Sequence, residues 1–141
     1  ILFTGGSLLR KAFEGLMDRS DPQLLDEITT LLNAHRRPRW LDIHRLRAFR
    51  SGARVNIDFH LVLPRDLSLD TAHTEVKALE RLIEDHFHKE AIVLIHMDPC
   101  HPGKCPDCQW TPETPCEHPP GPEILWTRAQ LTRVRGRLPV N

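Results

Sequence analysis

From Leu94 to Cys108 the chain reads LIHMDPCHPGKCPDC, and few of these residues belong in a plain strand. Apolar residues run from Ala91 to Ile95, and then His96, Asp98, Cys100, His101, Cys105 and Cys108 follow within thirteen positions. Imidazole nitrogens, carboxylate oxygens and thiolates are the donors that bind zinc and its first-row neighbours. The chain has nine histidines, an unusual number for its length, and eight of them fall between His44 and His118. All four cysteines fall between Cys100 and Cys116. An even count could form two disulfides, but nothing points to secretion, and clustering with histidine makes metal ligation the better reading.

The cysteines follow the pattern C-H-x3-C-x2-C-x7-C-x-H, through Cys100, His101, Cys105, Cys108, Cys116 and His118. The two-residue spacing of Cys105 and Cys108 lets both thiolates hold one tetrahedral ion, and Cys116 with His118 supplies a second half. A lone CxxC is also a redox motif; two half-sites within nineteen residues point to a structural zinc loop. Cys105, Cys108 and Cys116 are the expected ligands, with Cys100 or His118 as the fourth. Cys100 to Pro122 holds seven prolines and two glycines and is expected to have no regular structure, so metal would supply its folding energy.

The other histidines depend on the elements that carry them. SLLRKAFEGLM, Ser7 to Met17, has helical spacing, and Gly5-Gly6 before it predicts a flexible lead. Asp21 and Pro22 open a second helix with Leu24, Leu25, Ile28, Leu31 and Leu32 on one face, ended before Pro38. WLDIHRLRAFRSG and ARVNIDFHLVLP alternate as two strands around a Ser51-Gly52 turn. In the second, Val55, Ile57, Phe59, Leu61 and Leu63 share one face, and Asn56, Asp58, His60 and Val62 share the other. Ser68 caps a long helix, a third strand runs from Ala91 to Met97, and Glu123 to Arg137 is read as a last helix with Ile124, Leu125, Leu131 and Val134 apolar. The fold class is α+β: an αββαβ domain with a small sheet covered by helices on one side.

Strand parity then brings chemistry together. His96 and Asp98 share a side at the end of the third strand, His60 lies opposite the aliphatic stripe, and His44 has Asp42 on its own side. Paired in one sheet, His44, His60, His96 and Asp98 converge on one face, a ligand set of zinc type. His73 lies beside the buried stripe of the long helix, available to the same site or to a partner subunit. A single strand histidine is more often merely solvated, but four with an aspartate at consistent parity point to metal.

Composition narrows the functions. Lys+Arg and Asp+Glu balance at 19 each and there is no Tyr, which argues against nucleic acid as a partner. Fifteen of the nineteen basic residues are Arg, and the run between Arg36 and Arg54 reads as a solvated face. No stretch approaches the roughly 20 apolar residues of a membrane span. Ile1-Leu2-Phe3 is too short for a signal peptide, so the expected setting is a soluble domain in the cytoplasm. Because the chain opens on Ile1, it is expected to be part of a longer reading frame. Two metals with a bridging Asp also describe hydrolases, but no spare acid or base stands at motif spacing, so the chain is not expected to be an enzyme.

DIHRLRAFRSG, IDFHLVL, TAHTEV and LIHMDPC resemble the successive signature segments of the cytoplasmic C-terminal domain of the cation diffusion facilitator (cation efflux) transporters. LLRKAFEGLMDRSDP resembles the linker leaving their last membrane helix, and the match covers roughly residues 5 to 100 in order. The resemblance implies a metallochaperone-like, ferredoxin-like αββαβ fold and a V-shaped homodimer. It implies interfacial zinc bound by His44, His60, His73, His96 and Asp98, with Asp98 bridging two metals; Cd2+, Co2+, Fe2+ and Mn2+ are the alternative ions. It divides the chain into a linker over residues 1–20, a dimerisation domain over 21–99 and an added Cys-rich tail over 100–141. The family's membrane domain, which carries transport, is not in this sequence. The chain is therefore expected to be the regulatory domain of a transporter, partnered by a membrane domain of the same or another protein, or else a free-standing zinc buffer or metallochaperone.

Overall fold

The computed structural model of the chain describes residues 3–6, 20–101 and 125–134. Asp21 accepts from the backbone N–H groups of Gln23 (2.9 Å) and Leu24 (3.5 Å), and Pro22 takes the first helical position, so helix α1 spans Pro22–Ala34. Its apolar stripe, Leu24, Leu25, Ile28, Leu31 and Leu32, is buried as its spacing predicts. Strands β1 (Asp42–Ser51) and β2 (Arg54–Leu63) form an antiparallel hairpin, and Gly52 takes the left-handed backbone (φ 61°) that its turn requires. Ser68 caps α2 (Leu69–His86), which crosses over to bring β3 (Ala91–Pro99) parallel to β2 in the sheet order β1-β2-β3. Helix α3 (Arg128–Thr132) closes the described chain.

One face of the sheet supplies the core. Ile43, Leu46 and Ala48 of β1 join Val55, Ile57, Phe59, Leu61 and Leu63 of β2 against α1 and the Val76, Leu79 and Ile83 stripe of α2. The α+β architecture predicted from the sequence, αββαβ with helices on one side, is the one observed. Three local readings differ. Residues 3–6 are helical rather than a flexible lead at Gly5-Gly6. The last helix is only Arg128–Thr132, and Leu125 and Val134 are exposed; the buried anchors there are Trp126 and Leu131. Strict alternation in β1 also fails, because the register to β2 slips by one residue between His44 and Arg47. The helix read over Ser7 to Met17 lies outside the described residues.

A charged residue sits within the buried face of α2. Glu75 accepts from the Trp40 indole N–H (3.2 Å) and from the guanidinium groups of Arg37 and Arg39 (3.3 Å each). It thereby ties α2 to the segment that feeds β1. The two Arg side chains are about half exposed, so those ion pairs contribute little, whereas the enclosed indole N–H has no other hydrogen-bond acceptor among the described residues. Glu75→Ala is expected to cost roughly 1–3 kcal/mol, the penalty for a buried donor left without an acceptor. Glu75→Gln, which keeps an acceptor for Trp40, is expected to cost less. Thermal unfolding followed by circular dichroism reads both, and equal melting temperatures for the two variants would contradict this account of the contact.

Candidate metal centre

The sheet face turned away from the core carries a row of imidazoles. His44 pairs with His60 across β1 and β2, and His60 pairs with His96 across β2 and β3, so the three stand in line. Their ring centroids are 5.1 Å apart for His44 and His60 and 4.6 Å apart for His60 and His96. Two residues further along β3, in register with Val62, the Asp98 carboxylate leans over all three. Its Oδ2 lies 2.9 Å from His60 Nδ1 and 3.4 Å from His44 Nε2, and its Oδ1 lies 3.4 Å from His96 Nε2. A carboxylate accepts, so His60 donates through Nδ1 and keeps Nε2 as its lone-pair nitrogen.

His44 owes its place in the row to the slip in β1. Ile43 faces the core, and an unbroken strand would next bury Arg45 and Arg47. Instead Arg45 takes left-handed backbone (φ 56°), two residues of β1 oppose one of β2, and Leu46 and Ala48 enter the core. Side-chain exposure then rises along the row from 7% at His44 through 26% at His60 to 66% at His96, so the group is closed at β1 and open over the edge strand β3. Beside His96, on the same open face, Ile92 and Leu94 are large apolar side chains left exposed.

Among the described residues, His44, His60 and Asp98 bring one ligand atom each to within 4.8 Å of one another. Two nitrogens and a carboxylate oxygen at that separation suit a borderline divalent cation. His96 adjoins the group through Asp98 but stands outside that closest set. His73 is exposed on α2 and is not brought to the row within one chain. Cys100 follows β3, its backbone N–H donating to Leu63 O (2.8 Å), and its thiol is free. Cys105, Cys108, Cys116 and His118 lie outside the described residues. Sequence reasoning placed Asp42 beside His44 but gave it no role, and it missed Arg133, which donates to Asp42 Oδ1 at 2.8 Å. The register slip that aims His44 carries no motif; only the burial of Leu46 and Ala48 reveals it.

Residues 20–100 match the family model described as cation efflux protein, cytoplasmic domain. The cation-efflux pump FieF of Shewanella oneidensis is 37% identical over 92 residues, which are 63% of this chain and 29% of that protein. The chain therefore spans under a third of that relative's length. A solved structure of CzrB, described as a candidate zinc transporter and captured in its zinc form, is 30% identical with a TM-score of 0.53, covering 58% of this chain and 91% of that one. A second CzrB structure, 31% identical at the same TM-score of 0.53, covers 57% of this chain and 98% of that one.

Because Asp98 touches all three imidazoles, its loss should disturb the group more than the loss of the outermost ring. Asp98→Ala is expected to weaken zinc binding by more than the roughly 10–100-fold that removing an outer-shell partner costs, and by more than His96→Ala. Competition against a chromogenic chelator measures both. A larger effect at His96 would mean that the carboxylate is not central to the site.

Proposed function

Because the chain belongs to the cation efflux protein family and carries its cytoplasmic domain over residues 20–100, we propose that it is the regulatory domain of a cation efflux transporter, a homodimer that binds zinc at the interface between its two copies. The observation that carries this reading is the His44–His60–His96 row with Asp98, held on the sheet face that the core does not use. A ligand set on an outward face of one chain leaves coordination positions open, because one protomer cannot wrap the ion. His73, displaced onto α2, would complete the shell across a two-fold axis, which symmetry makes reciprocal. Exposed Ile92 and Leu94 beside His96 would give the second copy an apolar surface to cover.

The role of the metal follows from linkage. A cation that prefers one arrangement of the two protomers shifts the dimer toward it by its difference in affinity, and no further. At about 100 times its dissociation constant, a ligand of one state alone supplies roughly 2.7 kcal/mol of bias. His44, His60, His96 and Asp98, with His73 of the second protomer, would hold the ion. Asp98 would bridge where two ions bind, since one carboxylate offsets part of the charge of both. The domain would act as a sensor of cytoplasmic zinc, with the transport step itself in a membrane domain and no catalysis of its own.

Spin labels on the two protomers test the switch. Saturating zinc is expected to shorten and narrow the distance between them, with Asp98→Ala removing more of this response than His73→Ala. An unchanged distribution in the wild-type protein would leave the alternative standing, a soluble zinc buffer or metallochaperone.

The cysteine tail carries a separate proposal, a second zinc held by Cys105, Cys108 and Cys116 with Cys100 or His118. Native mass spectrometry is expected to find at least two zinc ions per chain. Replacing Cys105 and Cys108 is expected to remove one, and removal of all metal would rule out two independent sites.

A further inference from the structure

Residues 125–134 lie beyond the segment matched by the family model, yet they pack against β1 and α1 of the domain. The Asn33 side chain clasps Trp126 at two points, donating to its carbonyl (2.8 Å) and accepting from its N–H (2.9 Å). The Arg36 guanidinium lies 4.0 Å over the buried indole, and Leu131 is fully enclosed in the core. Between these anchors Thr127 and Gln130 form a reciprocal capping box that starts α3. The segment is thus a strap, and it delivers Arg133 to Asp42 and Arg45, on either side of His44 in β1.

Both contacts of Arg133 bear on that histidine. Its carbonyl accepts from the N–H of Arg45 (3.0 Å), the left-handed residue of the register slip, whose amide has left the β1–β2 ladder. Its guanidinium donates to Asp42 Oδ1 (2.8 Å). The other oxygen of Asp42 faces His44 Nδ1 at 3.5 Å, and Nδ1 is buried with no hydrogen-bond partner among the described residues. On the far side of the ring, Nε2 points at Asp98. A neutral imidazole has one lone pair for a metal, and the group facing its other nitrogen decides which one is offered.

We infer that this strap is an outer shell of the metal centre, with Arg133 as a positioning residue. It holds Asp42 with Oδ2 3.5 Å from His44 Nδ1, placed to accept the Nδ1 proton when a divalent cation takes Nε2. Asp42 is almost enclosed, and the guanidinium fixes which of its oxygens faces the ring. The main-chain contact adds a second constraint, because it gives the Arg45 amide a partner at the left-handed residue of the slip. The inference rests on the reading of the histidine row as a metal site, and it extends that site into a part of the chain which the family match does not reach.

The experiment uses the full chain and zinc alone as the probe, with two readouts. Competition with a chelator gives affinity, and 15N–1H correlation spectra of the zinc-loaded protein show whether His44 Nδ1–H is shielded from solvent exchange. In the wild type that proton is expected to be shielded. Arg133→Met is expected to lose the shielding and to bind zinc roughly 10–100-fold more weakly, the usual cost of an outer-shell partner. Arg133→Lys should restore part of both, and Arg81→Ala, on the exposed surface of α2, should change neither. Asp42→Asn decides the question if Arg133→Met does not fold. Its single acceptor oxygen cannot serve both Arg133 and His44, so it too should lose the shielding. Wild-type affinity and shielding in a folded Arg133→Met or Asp42→Asn overturn the inference and leave the metal site intact. Failure of the wild-type protein to bind zinc overturns both.

Discussion

The site depends on one register slip in a ten-residue strand. β1 must bury Ile43 before the slip and Leu46 and Ala48 after it, while His44 stays on the opposite face beside His60. Period-two alternation cannot satisfy all of these, because an uninterrupted strand that buries Ile43 also buries Arg45 and Arg47. The extra residue at Arg45 resolves the conflict. It costs a left-handed backbone at a side chain that does not favour one. That local cost is met by the surrounding packing, since the core residues on both sides of the slip are enclosed. The row of three imidazoles is therefore a product of core packing as much as of the histidines themselves.

The rest of the site follows from where the sheet ends. Among the described residues β3 is an edge strand and pairs only with β2. Of its outward residues, Ile92, Leu94 and His96 are exposed and Asp98 is partly covered. An exposed edge with apolar side chains is a liability in isolation, and proteins usually manage it with charge, brevity or a cover. Here the open end of the histidine row and the exposed apolar pair lie on the same strand. A surface that covers Ile92 and Leu94 would also approach His96, so burial and coordination would favour one placement of a second copy.

Much of this was legible in the residues. Caps at Asp21 and Ser68, the α1 stripe and the alternation in β2 each express a local rule, and the structure follows them. His60, His96 and Asp98 were assignable to one face because both strands keep their parity to the end. Long-range partners were not legible. Nothing near Glu75 marks it as the acceptor for an indole 35 positions away, and its charge argues against burial until Trp40, Arg37 and Arg39 are in place. The strap was misread for a related reason. Ile124, Leu125, Leu131 and Val134 suggest a helical face, but the segment is anchored by an extended Trp126 held by Asn33, 93 positions earlier. A clasp of that kind has no periodicity to detect.

Arg133 shows how such a clasp changes the chemistry available to the domain. Histidine rows on open sheet faces are mobile unless something behind the rings holds them. Asp98 engages the rings from the side a cation would approach, so it cannot also hold them from behind. Asp42 can, because it lies next to His44 on the same face and away from the open edge. Its carboxylate is in turn oriented by a guanidinium whose own chain is tied to the slip at Arg45. Backbone strain, the buried carboxylate and the outermost segment of the chain thus converge on one imidazole, the most enclosed of the three. The exposed His96 has no comparable support among the described residues and remains the ring best able to adjust to a partner.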